Sequence, residues 1–480
     1  MKTSGHKEVL QEDYELAFPT QDINIPNVST GVKQTEECRD SFFAALFVIQ
    51  LILILGPSFV AYYQFLGTDL NDGRTFEQAA EVFSTKAIIS FTSVYSTVAT
   101  LMVACSLVFT VLFPKYLVVG GLVFGCAMAF LFMLGMLVTG SFNAFLFGAA
   151  MFGANIYYVR LVWNRIPFAA ANLKTAATAV NYNIGLLIVA LFILILGVLW
   201  NICWVLTFAL AASNENKKCT QYDDYADCED DDINGIVVLL LILSYYWTSQ
   251  VLSNIIHTTV AGTVGSWWYN PMIASSCCSE AVRGSFSRAT TYSFGSICFG
   301  SLLTAIIRTL HAIARRERQS SDRSCSILLC ILECVLFCLR DVAEYFNKWA
   351  YVYVGLYGYS YLEAGKNVIQ LFRVRGWTTI ITDSLVGNSL FIINLGIGLL
   401  TGVASLLISP QNEAATISFA VAFFIGFFVS SLVMNVIESA VNTVIVCYAE
   451  SPSEFQFNHM ALSCEMRNAW LQAYPDAFSS

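Results

Sequence analysis

The chain has 480 residues, of which 56% are hydrophobic and 12% are charged, about half the charged fraction of an ordinary soluble domain. Its formal net charge is −9 at pH 7, so it lacks the basic surplus with which proteins bind nucleic acid, and we expect no nucleic-acid partner. The mean hydropathy is +0.63, and the apolar residues fall in runs of about 20 or more, the length that crosses a bilayer. These features predict an all-α, polytopic integral membrane protein.

Residues 1–40 are polar and rich in Glu, Asp, Thr and Asn, a composition that predicts a disordered cytoplasmic tail. This segment contains no apolar run, so we expect no cleavable signal peptide. Residues 41–448 are predicted to form one transmembrane helical domain, because the long apolar runs lie there. Residues 449–480 are predicted to be a cytoplasmic C-terminal tail.

The membrane domain contains nine strongly apolar segments and a tenth that is weaker. The nine lie at 42–65, 87–112, 116–138, 141–162, 178–211, 236–266, 290–312, 383–408 and 416–446. The tenth, 326–346, contains four charged residues, so it either crosses the membrane or lies in the interface. It belongs to the region 308–380, which we assign as a cytoplasmic or interfacial segment. The distribution of Lys and Arg among the loops favours about ten spans with both termini in the cytoplasm.

The loop 212–235, which this topology places outside, contains eight acidic residues and two cysteines. Cys219 and Cys228 are nine residues apart, and cysteines on the oxidising side of a membrane tend to pair. We therefore predict a disulfide between them, with two free thiols as the alternative. The acidic residues either raise the local cation concentration at an entrance or only keep the loop solvated.

The segment 236–266 carries polar side chains where a span that faces only lipid would avoid them. Gln250, Asn254 and His257 are spaced by four and three residues and share one helical face, which Trp247 and Trp268 continue toward its ends. A polar group at mid-membrane must face protein or water. This face is therefore either a contact between helices or the lining of a substrate cavity, and His257 could also titrate.

The last span contains a second polar face, formed by Asn435, Glu438 and Asn442 at spacings of three and four. Glu438 is the only acidic residue well inside a strongly apolar segment, and an ionisable group inside a membrane is a functional hypothesis by default. It would serve as the counter-charge of a cationic substrate or as a proton carrier. The alternative is a carboxyl group that reaches the cytoplasmic interface or stays protonated.

Aromatic residues are concentrated in 349–361, which contains five tyrosines and one tryptophan. They suit an interfacial belt or a cage that holds quaternary ammonium by cation–π attraction. Cys330, Cys334 and Cys338 share a helical face, either as packing residues or as palmitoylation sites. The sequence has no nucleotide-binding, metalloprotease or serine-hydrolase motif, so we predict neither an enzyme nor a cofactor nor a metal site.

Several stretches of the chain resemble the choline transporter-like family, in particular its fungal-type members. They are YWTSQVLSNIIHTTVAGTVGSWWY (246–269), RATTYSFGSICFGSLLTAIIR (288–308), NKWAYVYVGLYGYSYLEAGKNVIQLF (347–372), VIESAVNTVIVCYAESP (436–452), RIPFAAANLKTA (165–176) and CRD (38–40). The resemblance covers most of residues 36–460. It implies ten spans, cytoplasmic termini and a plasma-membrane location. It also implies sodium-independent uptake of choline, in some members of ethanolamine, with proton exchange as a proposed mode.

One position departs from the family pattern. Where that pattern has an acidic residue in the last span, this chain has Asn442, so Glu438 is the remaining carboxylate there. A proton relay built on a pair of carboxylates is therefore not expected.

The sequence thus leads to the hypothesis of a transporter, either a facilitator or a proton-coupled exchanger, for choline or a related organic cation. The alternatives are a transporter of another amine such as ethanolamine and a membrane scaffold that does not transport. The expected partners are the cation and membrane lipids. The predicted substrate-binding residues are Trp247, Gln250, Asn254, His257, Trp268, Asn435, Glu438 and Asn442.

Overall fold

The computed structural model describes residues 37–69, 85–138, 142–213, 218–222, 225–229, 235–320, 326–376, 385–408 and 415–475. Several parts of the predicted regions lie outside the described residues. They include residues 1–36 of the N-terminal tail, residues 476–480 of the C-terminal tail, residues 321–325 and 377–380 of the region 308–380, and residues 214–217, 223–224 and 230–234 of the acidic loop.

The described residues form fifteen α-helices, one short 3₁₀ turn and one hairpin of two strands, which confirms the all-α class. The elements are α1 (Ser41–Asp69), α2 (Thr85–Leu112), α3 (Pro114–Val138), α4 (Phe142–Val162), α5 (Ile166–Tyr182), α6 (Gly185–Ser213), β1 (Lys218–Tyr222), β2 (Tyr225–Glu229), α7 (Gly235–Tyr269), α8 (Glu280–Thr290), α9 (Phe294–Ser320), α10 (Ser326–Tyr357), α11 (Tyr361–Val374), α12 (Leu385–Ile408), α13 (Ala415–Glu450), α14 (Pro452–Asn458) and α15 (Met460–Ala473).

Eight helical segments within the described residues are long and apolar enough to cross a membrane, which confirms the polytopic membrane class. The part of α2 over Thr97–Leu112 adds a shorter apolar stretch. The weaker predicted segment 326–346 is the first part of a longer helix, α10, which continues to Tyr357. Residues 349–354 of α10 are almost completely buried, so this helix packs inside the bundle.

Helix α7 lies at the centre of the bundle, in contact with α5, α6, α8, α9, α10 and α13. Its small residues allow this close packing, because a residue without a large side chain lets a neighbouring backbone approach. A Cβ atom placed on Gly262 would lie 2.9 Å from the carbonyl oxygen of Gly355 in α10. A Cβ atom placed on Gly355 would lie 2.5 Å from the carbonyl oxygen of Thr258. The α7 and α10 backbones therefore touch at these glycines.

The predicted C-terminal tail contains two helices that fold back onto the membrane domain. The Trp470 indole donates to the amide oxygen of Asn172 in α5 at 3.1 Å. The Phe455 ring stacks on that of Trp268, with 3.9 Å between the ring centroids. Asn458 donates to the backbone carbonyls of Trp268 and Tyr269 at the end of α7. The carboxyl end of α7 is thus covered, and its last carbonyl groups are satisfied.

Within the loop 212–235, β1 and β2 form an antiparallel hairpin in which Cys219 and Cys228 occupy directly opposite positions. Opposite residues in an antiparallel pair have Cα atoms about 4.5–5.5 Å apart, within the range that a disulfide spans. The register therefore supports the pairing, which stays a prediction.

We expect the Gly355→Ala substitution to lower the stability of the purified protein by about 1–3 kcal/mol, because the added methyl group would overlap the α7 backbone. Gly396→Ala in α12 is the matched control, since a Cβ atom there would meet nothing within 4 Å. The measurement is the apparent melting temperature of each variant in detergent. Equal melting temperatures for the two variants would contradict the close contact of α7 with α10.

We also expect Cys219 and Cys228 to resist alkylation until the protein is reduced. Mass spectrometry of peptides from unfolded, unreduced protein reads this directly. Cys330 and Cys334, which are free and exposed, provide the alkylated reference in the same sample. Alkylation of the two loop cysteines before reduction would show that the disulfide is absent.

Candidate functional site

A cavity of about 760 Å³ lies between α6, α7, α9, α10 and α13. Its volume falls within the range of about 300–1,000 Å³ that is usual for small-molecule sites. The polar and charged side chains that line it include Asn201 of α6, Gln250, Asn254 and His257 of α7, Arg308 of α9, Glu344, Asn347 and Lys348 of α10, and Asn435, Glu438 and Asn442 of α13.

The structure brings together six of the eight predicted substrate-binding residues. Gln250, Asn254, His257, Asn435, Glu438 and Asn442 all line this cavity. The two polar faces that were read on separate segments therefore belong to one site, because α7 and α13 pack against each other.

The structure does not place Trp247 and Trp268 on the cavity. Trp247 is buried against Phe47, with its indole nitrogen donating to the carbonyl of Cys298 at 3.0 Å. Trp268 is buried against Phe455, and its indole donates to the carbonyl of Ser451 at 3.1 Å. Helical spacing places these two residues on the same face of α7 as Asn254. That face borders the cavity only in its middle part, because other residues cover it near the two ends of this long helix.

His257 connects α7 to two other helices. Its Nε2 atom lies 2.9 Å from the carbonyl oxygen of Lys348 in α10, and its Nδ1 atom lies 2.7 Å from the hydroxyl of Ser439 in α13. Because a carbonyl oxygen only accepts hydrogen bonds, Nε2 carries a proton, and in the neutral ring Nδ1 accepts from Ser439. The ring thereby fixes the relative positions of the three helices beside the cavity.

The two carboxylates of the cavity have different surroundings. Glu344 forms an ion pair with Arg308, in which Nη2 and Oε1 are 2.7 Å apart. Glu438 is half-buried and has no hydrogen bond or ion pair within the described parts of the chain. Its carboxylate lies beside Gly387, in the first turn of α12, where the helix dipole favours negative charge. Glu438 is thus a carboxylate that remains available to a ligand.

Several cavity residues were not predicted as site residues. Arg308 and Glu344 had been read as charges of a cytoplasmic or interfacial region, and Tyr351 as a member of an aromatic belt or cage. The helical spacing of α10 could have predicted them, because Glu344, Lys348 and Tyr351 are four and three residues apart and so share a face. The charged residues at 340–344 instead favoured the prediction of an interfacial helix.

Polar contacts also organise the wall formed by α9 and α10. Asn254 donates to the hydroxyl of Ser301 at 2.9 Å, and Ser301 lies 3.4 Å from the Tyr351 hydroxyl. Tyr351 in turn donates to the carbonyl of Ile297 at 3.1 Å. Asn254 is therefore held in place by the protein, whereas its neighbour Gln250 has no such hydrogen bond in the portion that the structure describes.

Beyond the cavity, the ends of α7, α10 and α13 are tied together. The Tyr357 hydroxyl hydrogen-bonds to the carboxylate of Glu450, joining α10 to α13. His459, after α14, stacks on the Trp267 ring at 4.0 Å between centroids and bonds to the Trp267 carbonyl. Burial lowers the pKa of His459, which favours the neutral form of this ring. These contacts close the bundle at that end.

The comparisons with known proteins cover the helices that build this site. The sequence model described as plasma-membrane choline transporter matches residues 145–453, which include every cavity-lining residue. Protein PNS1 of Yarrowia lipolytica is 32% identical over 235 residues, 47% of this chain and 41% of that protein. Protein PNS1 of Debaryomyces hansenii is 28% identical over 318 residues, 62% of this chain and 60% of that protein.

A CTL-like protein of Dictyostelium discoideum is 27% identical over 435 residues, 86% of this chain and 72% of that protein. The chain spans less than two thirds of the length of the two fungal relatives, whereas the similarity to the Dictyostelium protein extends over most of both chains.

We expect Ser439→Ala to destabilise the protein by about 1–3 kcal/mol, because it removes a hydrogen-bond partner of the half-buried His257 ring. Ser249→Ala is the matched control. Ser249 also lines the cavity, but its hydroxyl donates at 2.8 Å to the Tyr245 carbonyl of its own helix. Melting temperatures of the two variants give the comparison. A loss of stability that is no larger for Ser439→Ala than for Ser249→Ala would contradict the bridging role of His257.

Proposed function

The chain belongs to the plasma-membrane choline transporter family, and on this basis we propose that it carries choline or a related organic cation across the plasma membrane through the central cavity. Membership of this family favours a membrane transporter and a non-enzymatic role. The name of the family model supports choline, and the names PNS1 and CTL-like protein specify no substrate.

The observation that carries the proposal is the position of Glu438. Its carboxylate lines the cavity in the middle of a span and has no basic or hydrogen-bonding partner within the described residues. Removing a charged group from water is costly unless an opposite charge accompanies it. A bound organic cation would supply that charge. A carboxylate without an ion-pair partner among the described residues therefore fits a cationic substrate better than a neutral one.

The cavity lining suits a quaternary ammonium group. Such a group has no N–H donor and is held by negative charge and by the faces of aromatic rings. Tyr345 provides aromatic surface on the cavity, and Gln250 and Asn435 provide amide groups for a substrate hydroxyl. Ethanolamine, which has an ammonium group with three donors, would make the same charge contact and would add hydrogen bonds to these amides.

The cavity also helps to distinguish a transporter from a membrane scaffold that does not transport. A scaffold would bury its polar stripes in tight contacts between helices, as Asn254 and His257 do in part. Gln250, Asn435 and Glu438 instead face a cavity large enough for a small molecule. This arrangement supports transport over a purely structural role.

Transport of a cation needs no coupling ion when the membrane potential is negative inside. Moving one elementary charge is favoured by about 2.3 kcal/mol per 100 mV, which corresponds to roughly fifty-fold accumulation. The helices α7, α10 and α13 are joined by contacts at one end and border the cavity further along. This arrangement suits a carrier that opens one end of the bundle at a time. We therefore propose facilitated, potential-driven uptake as the simplest mechanism.

We expect Glu438→Gln to reduce the kcat/KM of choline uptake by about tenfold or more, because a hydrogen-bonded or ion-paired charge contributes about 1.5–3 kcal/mol. Radiolabelled choline uptake into proteoliposomes, with a potassium gradient and valinomycin, measures this directly. The control is Glu363→Gln, the same change at an exposed position of α11 outside the cavity.

Gel filtration establishes that both variants are folded. Wild-type rates in the Glu438→Gln variant would show that this carboxylate is not the counter-charge. Absence of uptake by the folded wild-type protein would remove choline as the substrate, and ethanolamine would then be the next cation to assay.

A further inference from the structure

The lipid-facing surface of α6 continues into the cavity. Leu191, Ile195, Val198 and Ile202 are spaced by four, three and four residues, and about half of each side chain is exposed, Val198 to 53%. In a membrane span, an exposed apolar stripe of this kind faces the lipid. Val198 also lines the cavity, so the stripe forms part of its rim.

The same arrangement occurs on α13. Phe424 and Phe428, one turn apart, are 54% and 60% exposed, and their rings are stacked. Phe428 lines the cavity, and so does the exposed Asn435 two turns further along. The lipid-facing side of each helix thus runs into the cavity, and the two helices that share this property, α6 and α13, bound the same space.

The cavity lining combines polar and apolar side chains. Glu438, His257 and the buried Asn442 are polar, whereas Val198 and Phe428 are apolar and more than half exposed. The volume of about 760 Å³ is in the upper part of the range for drug-sized ligands, and choline is much smaller than such ligands. A molecule with a charged head and an apolar tail matches both the size and the mixed character of the lining.

We infer that the cavity opens sideways to the bilayer between α6 and α13 and accepts amphiphiles with a quaternary ammonium head and a single alkyl chain. The head lies at Glu438, and the chain extends from there toward the exposed rim residue Val198. This inference rests on the proposed function for the position of the head, and it adds a class of substrate for which choline is the smallest member.

The sideways opening between α6 and α13, called the portal below, recognises the single alkyl chain of such a ligand. Each methylene group that leaves water for an apolar surface strengthens binding by roughly fourfold when it is fully buried. Affinity should therefore rise along a series of alkyltrimethylammonium ions for as long as the added methylene groups lie between the two helices. Partitioning of the probes into lipid gives a similar trend, so a variant that blocks only the portal is needed.

The experiment measures how butyl- and hexyltrimethylammonium displace radiolabelled choline from the full-length protein in nanodiscs. Val198→Trp places a large ring at the rim of the cavity, where the exposed site tolerates it. Ile195→Trp is the matched control, because Ile195 belongs to the same exposed stripe and does not line the cavity. We expect the hexyl ion to bind about tenfold more tightly than the butyl ion to wild type and Ile195→Trp.

In Val198→Trp we expect the butyl and hexyl ions to bind equally tightly, so that the gain from the longer chain is lost. Retention of that gain in Val198→Trp, or its absence in wild type, would overturn the inference while choline binding still supports the proposed function. Failure of the folded wild-type protein to bind choline while the hexyl ion stabilises it would support the amphiphile and overturn choline as the cargo. Failure to bind either ion would overturn both.

Discussion

An imidazole in the middle of a membrane span must find its hydrogen-bond partners inside the protein, and His257 finds them on two other helices. The Lys348 carbonyl and the Ser439 hydroxyl belong to α10 and α13, so one side chain of α7 sets the distance between three helices. The polar cavity lies beside this connection. Most of the other polar residues of the site lie on the three helices that His257 holds together.

The same three helices are joined closely on one side of His257, and polar cavity-lining residues lie on the other. Toward their common end, Gly262 and Gly355 bring the backbones of α7 and α10 into contact, and Tyr357 joins α10 to Glu450 of α13. In the opposite direction Glu344 and Asn435 face open space. Along α7 and α10, small residues thus allow the two backbones to touch, whereas larger polar residues line a cavity.

Charge in the cavity is arranged so that the two carboxylates differ in availability. Arg308 neutralises Glu344, and this pair contributes a polar wall without attracting a second cation strongly. Glu438 depends on the first turn of α12 and on the cavity itself for stabilisation. A low-dielectric environment strengthens the attraction of such a carboxylate for an incoming cation. Lys348 also lines the cavity and limits the net charge of the site.

Composition and hydropathy by themselves determined the membrane class and most of the long helices, because crossing a bilayer requires an apolar run of a certain length. Helical spacing also identified Gln250, Asn254 and His257, and Asn435, Glu438 and Asn442, as two polar faces. These are properties of one helix at a time, and they follow from its own residues.

The tertiary structure alone decided which neighbour each face meets. In the structure, both polar faces line one cavity, and Arg308 and Glu344 lie on its wall. Trp247 and Trp268 do not line it and donate hydrogen bonds to backbone carbonyls elsewhere. The structure also showed that the C-terminal helices cover the end of α7. Such contacts join residues far apart in the chain, His257 with Ser439 for example, 182 positions away. Periodicity shows which side of a helix avoids lipid, but the partner that covers it depends on how all the helices pack.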